Sequence, residues 1–164
     1  MAHPPRIPVW LPLEQSVVYF ITLCVQDRKP VLANAPAYAA FRNAVAKITR
    51  WHVIAAVLMA DHLHVLVWPV ARDEPVGEFS ALLKRRIRQE LNAKWQWQPG
   101  CFDHLLRSEE SAQEKWLYMR ENPGRAGFVK EWSEWPYAIG FKDSPGIPDR
   151  GKPAACPTIS IVSL

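Results

Sequence analysis

Apolar runs of seven to nine residues alternate along this chain with longer stretches whose apolar positions recur every three or four residues. Residues 17 to 25, VVYFITLCV, are β-branched and aromatic and end at the polar QDRKP, which predicts a strand buried on both faces. From Pro36 onward, Tyr38, Phe41, Val45 and Ile48 fall at steps of three and four, and the proline suits a first helical turn. HVIAAVLM and HLHVLVWP follow, divided by a polar AD pair, the pattern of two antiparallel strands joined by a tight turn. Residues 76 to 95 predict a second helix, with Phe79, Leu82, Leu83, Ile87 and Leu91 on one side and a basic surface on the other. QPGCFDHLLR leads to a short extended piece, and a third helix starts at Ser108 with an acidic first turn and closes at Asn122, before Pro123. The order strand, helix, strand, strand, helix, strand, helix predicts an α+β fold, an antiparallel sheet with helices on one face.

The ends of the chain read differently. Residues 1–15 carry four prolines and predict an extended arm. Residues 143–164, with four prolines before ISIVSL, predict a tail with little packing of its own. A single domain over 1–142 is therefore expected, and 164 residues suffice for one core. Cys24, Cys101 and Cys156 lie far apart, which favours neither a zinc knuckle nor a disulfide framework and suits a cytoplasmic home. No apolar stretch in the sequence is as long as a membrane span, and the N-terminus lacks a signal-peptide core.

The chemistry enters at MADHLHVLVW. On a strand, residues two apart share a face, so His62 and His64 present neighbouring imidazoles while Leu63 points away. Such a pair is either two separately hydrogen-bonded surface groups or two ligands for one ion. In KWLYMREN, Tyr118 and Asn122 stand four apart and share a helix face. Two imidazoles and an amide oxygen would make a three-ligand site with positions left open for a substrate oxygen. Lys84, Arg85, Arg86 and Arg88 concentrate positive charge, either as a solvated helix face or as phosphate contacts, and Trp95 and Trp97 follow them as flat surfaces on which bases stack. Together these features point to nucleic acid.

The residues resemble the HUH single-tyrosine transposases, and within them the REP-associated tyrosine transposases. RIPVWLPLEQSVVYFITLCVQDRKPVL, MADHLHVLVWP, QPGCFDHLLRSEES and KWLYMRENPGRAGFV stand in that family's order and spacing between residues 5 and 142, with Gly124 where a β-branched or aliphatic residue is usual. The resemblance implies a ferredoxin-like fold with the catalytic tyrosine on a C-terminal helix. It further implies Tyr118 as nucleophile, His62, His64 and Asn122 as ligands of Mg²⁺ or Mn²⁺, and cleavage and rejoining of single-stranded DNA through a 5′-phosphotyrosine. The implied substrates are palindromic DNA hairpins, with Lys84, Arg85, Arg86 and Arg88 as DNA contacts and a monomer or a dimer as the acting unit. Asp103, His104 and Arg107 fall in a shared block with a base-contact or a structural role. Two rival readings are a non-catalytic hairpin-binding module and a zinc hydrolase whose nucleophile is bound water.

Overall fold

The computed structural model describes residues 17–107 and 109–142, without the side chains of Glu109 and Glu110; the expected arm, the Ser108 helix start and the tail lie outside them. Strands β1 (Val18–Cys24), β2 (Trp51–Leu58), β3 (His62–Pro69), β4 (Phe102–Leu106) and β5 (Ala138–Ile139) form one antiparallel sheet in the order β4-β1-β3-β2-β5. Helices α1 (Ala35–Ala46) and α2 (Val76–Leu91) connect β1 to β2 and β3 to β4, which gives the ferredoxin-like β-α-β-β-α-β arrangement, extended by α3 (Glu109–Arg125) and β5.

Strand alternation divides the core in two. Tyr19, Ile21, Leu23, Leu63, Val65 and Val67 pack with Phe41 of α1 and with Phe79, Leu83 and Ile87 of α2. Val18, Leu66, Trp68 and Leu106 take the opposite face and pack with Ala112, Trp116 and Met119 of α3. The expectation of helices on one face is thus corrected: α3 covers the other. Mixed apolar strands made both outcomes possible, because β1 and β3 are apolar at odd and even positions alike. A bulge between Val53 and Ala55 shifts the register of β2 against β3, so Ile54 and Ala55 both join the α3 core.

Two helix ends differ from the sequence reading. Helix α2 stops at Leu91, not at residue 95, because Asn92 turns left-handed at φ 46° and the following amides bond back to the last turn. Helix α3 runs through Pro123 to Arg125, where the Asn122 carbonyl accepts from Ala126 at 2.9 Å and Gly127 closes the turn at φ 78°. Pro123 lacks the N–H that would bond the Met119 carbonyl, and only Gly124 and Arg125 follow it in the helix. Asn122 is consequently an interior helical residue.

Left-handed backbone also occurs at Asp27 and Arg28, at φ 57° and 53° in the turn after β1, costing about 1–2 kcal/mol for each such non-glycine residue.

Helix α3 is pinned at the opposite edge, where the Trp116 indole donates to the Gly140 carbonyl at 2.8 Å. Gly140 has φ 83°, and a Cβ there would run into the Ile54 carbonyl and come within 2.8 Å of the Ala55 Cα. Gly140→Ala is expected to destabilise the protein by about 2–4 kcal/mol, through left-handed strain and backbone overlap. Urea unfolding measures it, and a loss below about 0.5 kcal/mol would mean that β5 shifts aside without consequence.

Candidate active site

Strand β3 begins at His62, so alternation places His62 and His64 on the face that α3 covers. Their rings lie 4.8 Å apart, edge to face. Each uses its Nδ1 within the protein: that of His62 lies 2.7 Å from the Asp61 carboxylate, and that of His64 lies 2.8 Å from the Thr22 hydroxyl across the β1–β3 pair. The Nε2 of His64 is buried and has no partner among the described residues. For Asp61, burial by itself would raise the carboxyl's pKa, but the bond to His62 and the charges of His62 and Arg28 bring it below the usual carboxylate value.

His64 is 6% exposed. Burial, with smaller contributions from the charges of His62, Lys115 and Arg28, lowers its pKa to about 3. It is neutral at physiological pH, the form that can ligate a cation. The same shift links stability to pH. The native state keeps the imidazole unprotonated down to about pH 3, whereas the unfolded chain binds a proton near its ordinary value of about 6.5. Stability from this group is therefore complete above about pH 6.5 and declines as pH falls from there toward 3. Denaturation midpoints measured between pH 7.5 and 4.5 should fall more steeply for the native protein than for His64→Gln; parallel slopes would contradict the burial argument.

Across from the pair stands Tyr118, whose ring centroid is 5.7 Å from that of His64 and 6.1 Å from that of Phe20. Phe20 in turn stacks on His64 at 5.1 Å. Tyr118 is 39% exposed, open enough for a polymer to reach its hydroxyl. Lys115, Tyr118, Asn122 and Arg125 follow one another at steps of three and four and so form one stripe of α3. The Lys115 ammonium sits 5.6 Å from the Tyr118 ring centre and the Arg125 guanidinium 5.5 Å from it. Sequence reasoning missed both cations, although their helical spacing from Tyr118 was available to find them. They make the surroundings of the phenol favourable to a phosphate.

Asn122 lies one turn beyond Tyr118, and its Nδ2 is buried without a partner among the described residues. A carboxamide carries an oxygen at the same end, which a half-turn exchanges with the nitrogen. As donor types, two imidazoles and an amide, two of them with buried atoms unpartnered among the described residues, are of the kind that suits a hard or borderline divalent ion. Among the described residues, no three or more histidine, cysteine, aspartate or glutamate side chains gather in a way that could hold a metal ion.

The basic helix divides in the structure. The Lys84 ammonium donates to the carbonyls of Gln98, at 2.6 Å, and Gly100. Arg88 donates to the carbonyls of Trp95 at 2.9 Å and Ala93 at 3.3 Å. Both side chains thus clamp the loop after α2, and burial lowers the Lys84 pKa. Trp97 belongs to the core, 8% exposed, with its indole donating to the Lys84 carbonyl at 3.1 Å. Arg85 is exposed, and Arg86 is half-buried with an unpartnered buried Nε among the described residues. A groove of about 1090 Å³ opens beside α2, lined by Lys84, Arg85, Arg88 and Asp103. Asp103 keeps one buried carboxylate oxygen without a partner among the described residues, and burial raises its pKa. Thr22, the hydrogen-bond partner of His64, and Cys24, the cross-strand neighbour of His62, also line this groove, so β1 joins it to the histidine pair.

No protein-family model matches the chain. It is 25% identical over 131 residues to the REP-associated tyrosine transposase of Escherichia coli K12, spanning 76% of this chain and 77% of that protein. A relative from Haemophilus influenzae carrying the same family name is 25% identical over 144 residues, spanning 77% of this chain and 81% of its own. The fold matches that of a REP-associated tyrosine transposase solved bound to a REP hairpin, with a TM-score of 0.70 and 21% identity over 94% of this chain and 96% of the other. At that identity the structural likeness shows the fold. No helix among the described residues is long and apolar enough to cross a membrane. The chain is thus similar in sequence, over three quarters of its length, to the REP-associated tyrosine transposases, and it shares the fold of one of them.

Proposed function

We propose that this chain is a transposase that cleaves and rejoins single-stranded DNA at palindromic hairpins, with Tyr118 as nucleophile. The observation that carries the reading is the meeting of His62, His64 and Tyr118 on one sheet face, with the buried Nε2 of His64 unpartnered among the described residues. Relatives named for REP-associated transposition, and a structural neighbour holding a REP hairpin, support the substrate class.

His62, His64 and Asn122 are the residues that would hold Mg²⁺ or Mn²⁺. When bound, such an ion polarises a phosphate oxygen and offsets the charge that develops on phosphorus substituents. The chain's own groups do the rest. Tyr118 forms an oxygen–phosphorus bond in line with the scissile ester while the bond to the 3′-oxygen breaks; the phenol loses its proton and the leaving 3′-oxygen gains one. The 5′-phosphotyrosine keeps one ester for one ester, so a second 3′-hydroxyl can attack it and restore Tyr118 without ATP. Lys115 and Arg125, flanking the phenol, would steady the phosphate, and Arg85 is the exposed member of the basic helix free of clamping bonds in this structure to meet the DNA backbone.

The test is to incubate the full chain with end-labelled hairpin oligonucleotides and Mn²⁺ or Mg²⁺ and to separate the products on a denaturing gel. A protein-linked DNA band that requires the ion is expected. Tight hairpin binding without such a band, across ions and hairpins, would favour a non-catalytic binding module; cleavage to free ends without linkage would favour bound water as the nucleophile.

A further inference from the structure

The two histidines of the site are held differently, and the difference has a cause in the turn after β1. Thr22 offers His64 a hydroxyl, which can donate or accept and so imposes no tautomer. Asp61 offers His62 a carboxylate, which can only accept, and its second oxygen is taken by the Arg28 Nε at 2.7 Å. A neutral His62 must then carry its proton on Nδ1 and leave the Nε2 lone pair free.

Everything around Asp61 serves to fix it. Its backbone carbonyl accepts from Val25 at 2.9 Å, and the neighbouring Ala60 carbonyl accepts from Leu32 at 2.9 Å, so residues 25 to 32 wrap the β2–β3 turn. Arg28 reaches Asp61 from a turn in which it and Asp27 are both left-handed without being glycine. A second nitrogen of the same guanidinium lies 3.1 Å from the Cys24 Sγ, and Cys24 pairs with His62 across the strands. An ion pair whose arginine is 52% exposed adds little to stability, less than the strained turn removes. The strain is accounted for if the turn aims Arg28 for a purpose other than stability.

We infer that Asp61, oriented by Arg28, is the positioning residue for His62, fixing its Nδ1–H form so that Nε2 is presented to the divalent ion. The inference rests on the reading of His62 as an ion ligand, and its consequences separate from that reading. Carboxylates behind ligating histidines typically contribute tenfold to a hundredfold in ion affinity.

The experiment uses the ¹⁵N-labelled full chain. Imidazole nitrogen spectra in the absence of ions should show His62 protonated at Nδ1, and Asp61→Ala should shift it toward the Nε2–H form. Mn²⁺ affinity by calorimetry should fall about 10- to 100-fold in Asp61→Ala and by a smaller factor in Arg28→Ala, with partial rescue in Asp61→Asn, whose amide oxygen can still accept. A His62 tautomer that ignores Asp61→Ala overturns the inference, as does an affinity change below about threefold alongside a tautomer shift. If Asp61→Ala fails to fold, Asp61→Asn and Arg28→Ala carry the same comparison. Native protein that shows the tautomer response but binds no Mn²⁺ overturns the ion reading and leaves the positioning contact standing.

Discussion

Tyr118→Phe is expected to abolish the covalent DNA adduct, lowering cleavage by roughly 10⁴-fold or more, while hairpin binding stays within about threefold of the unmodified protein. The change deletes one oxygen. The ring keeps its edge contacts with Phe20 and His64, and the cations over it, Lys115 and Arg125, still face an aromatic surface. Because Tyr118 is 39% exposed, its hydroxyl is not needed to satisfy a buried partner, and the unfolding midpoint should stay the same within error. A variant that still forms the adduct would displace Tyr118 from the proposed role altogether. One that loses binding as well as cleavage would mean that the phenol contacts DNA before the chemistry. A denaturing gel and a native gel run on the same samples distinguish these outcomes.

His64→Ala is expected to reduce cleavage by at least about 10³-fold and to weaken Mn²⁺ binding strongly, because it removes one of three proposed ligands. Its structural cost should be modest by comparison. The imidazole stacks on Phe20 and bonds to Thr22, yet it also keeps a buried nitrogen without a partner among the described residues, so part of what is lost in packing is regained in relief of that atom. A stability change of about 1–2 kcal/mol against a thousandfold loss of rate would identify a side chain retained for chemistry. Calorimetry with Mn²⁺, urea unfolding and the adduct assay together test this. Undiminished ion affinity would remove His64 from the ligand set.

Most of the candidate site could be read from local periodicity. The two-residue repeat of a strand puts His62 beside His64, and the helical repeat puts Asn122 above Tyr118, whatever the rest of the chain does. The same repeat contained Lys115 and Arg125, but a lysine and an arginine on a helix are ordinary surface groups until a partner is seen. Local reading does not show which backbone groups a following loop folds back onto a side chain. Lys84 and Arg88 look like free cations in one dimension; only the fold returns the carbonyls of residues 93 to 100 to them. Trp97 looks like a base platform, and the structure spends it on the core.

By itself, the sequence determined the order of the elements from β1 to α3 and the pairing of chemical groups within each, because propensity, capping and periodicity act over a few residues; it did not show β5 or the ends of α2 and α3. What only tertiary structure decided was which face α3 covers. β1 and β3 offer apolar side chains to both faces, and long-range packing of Trp116, Met119 and Phe141 on Leu66 and Trp68 settles the choice. That docking brings Tyr118 to His64 across 54 positions of sequence, and the wrapping of residues 25 to 32 around the β2–β3 turn brings Arg28 to Asp61. Contacts of such separation are set by the shape of a filled core, which no window of the chain contains.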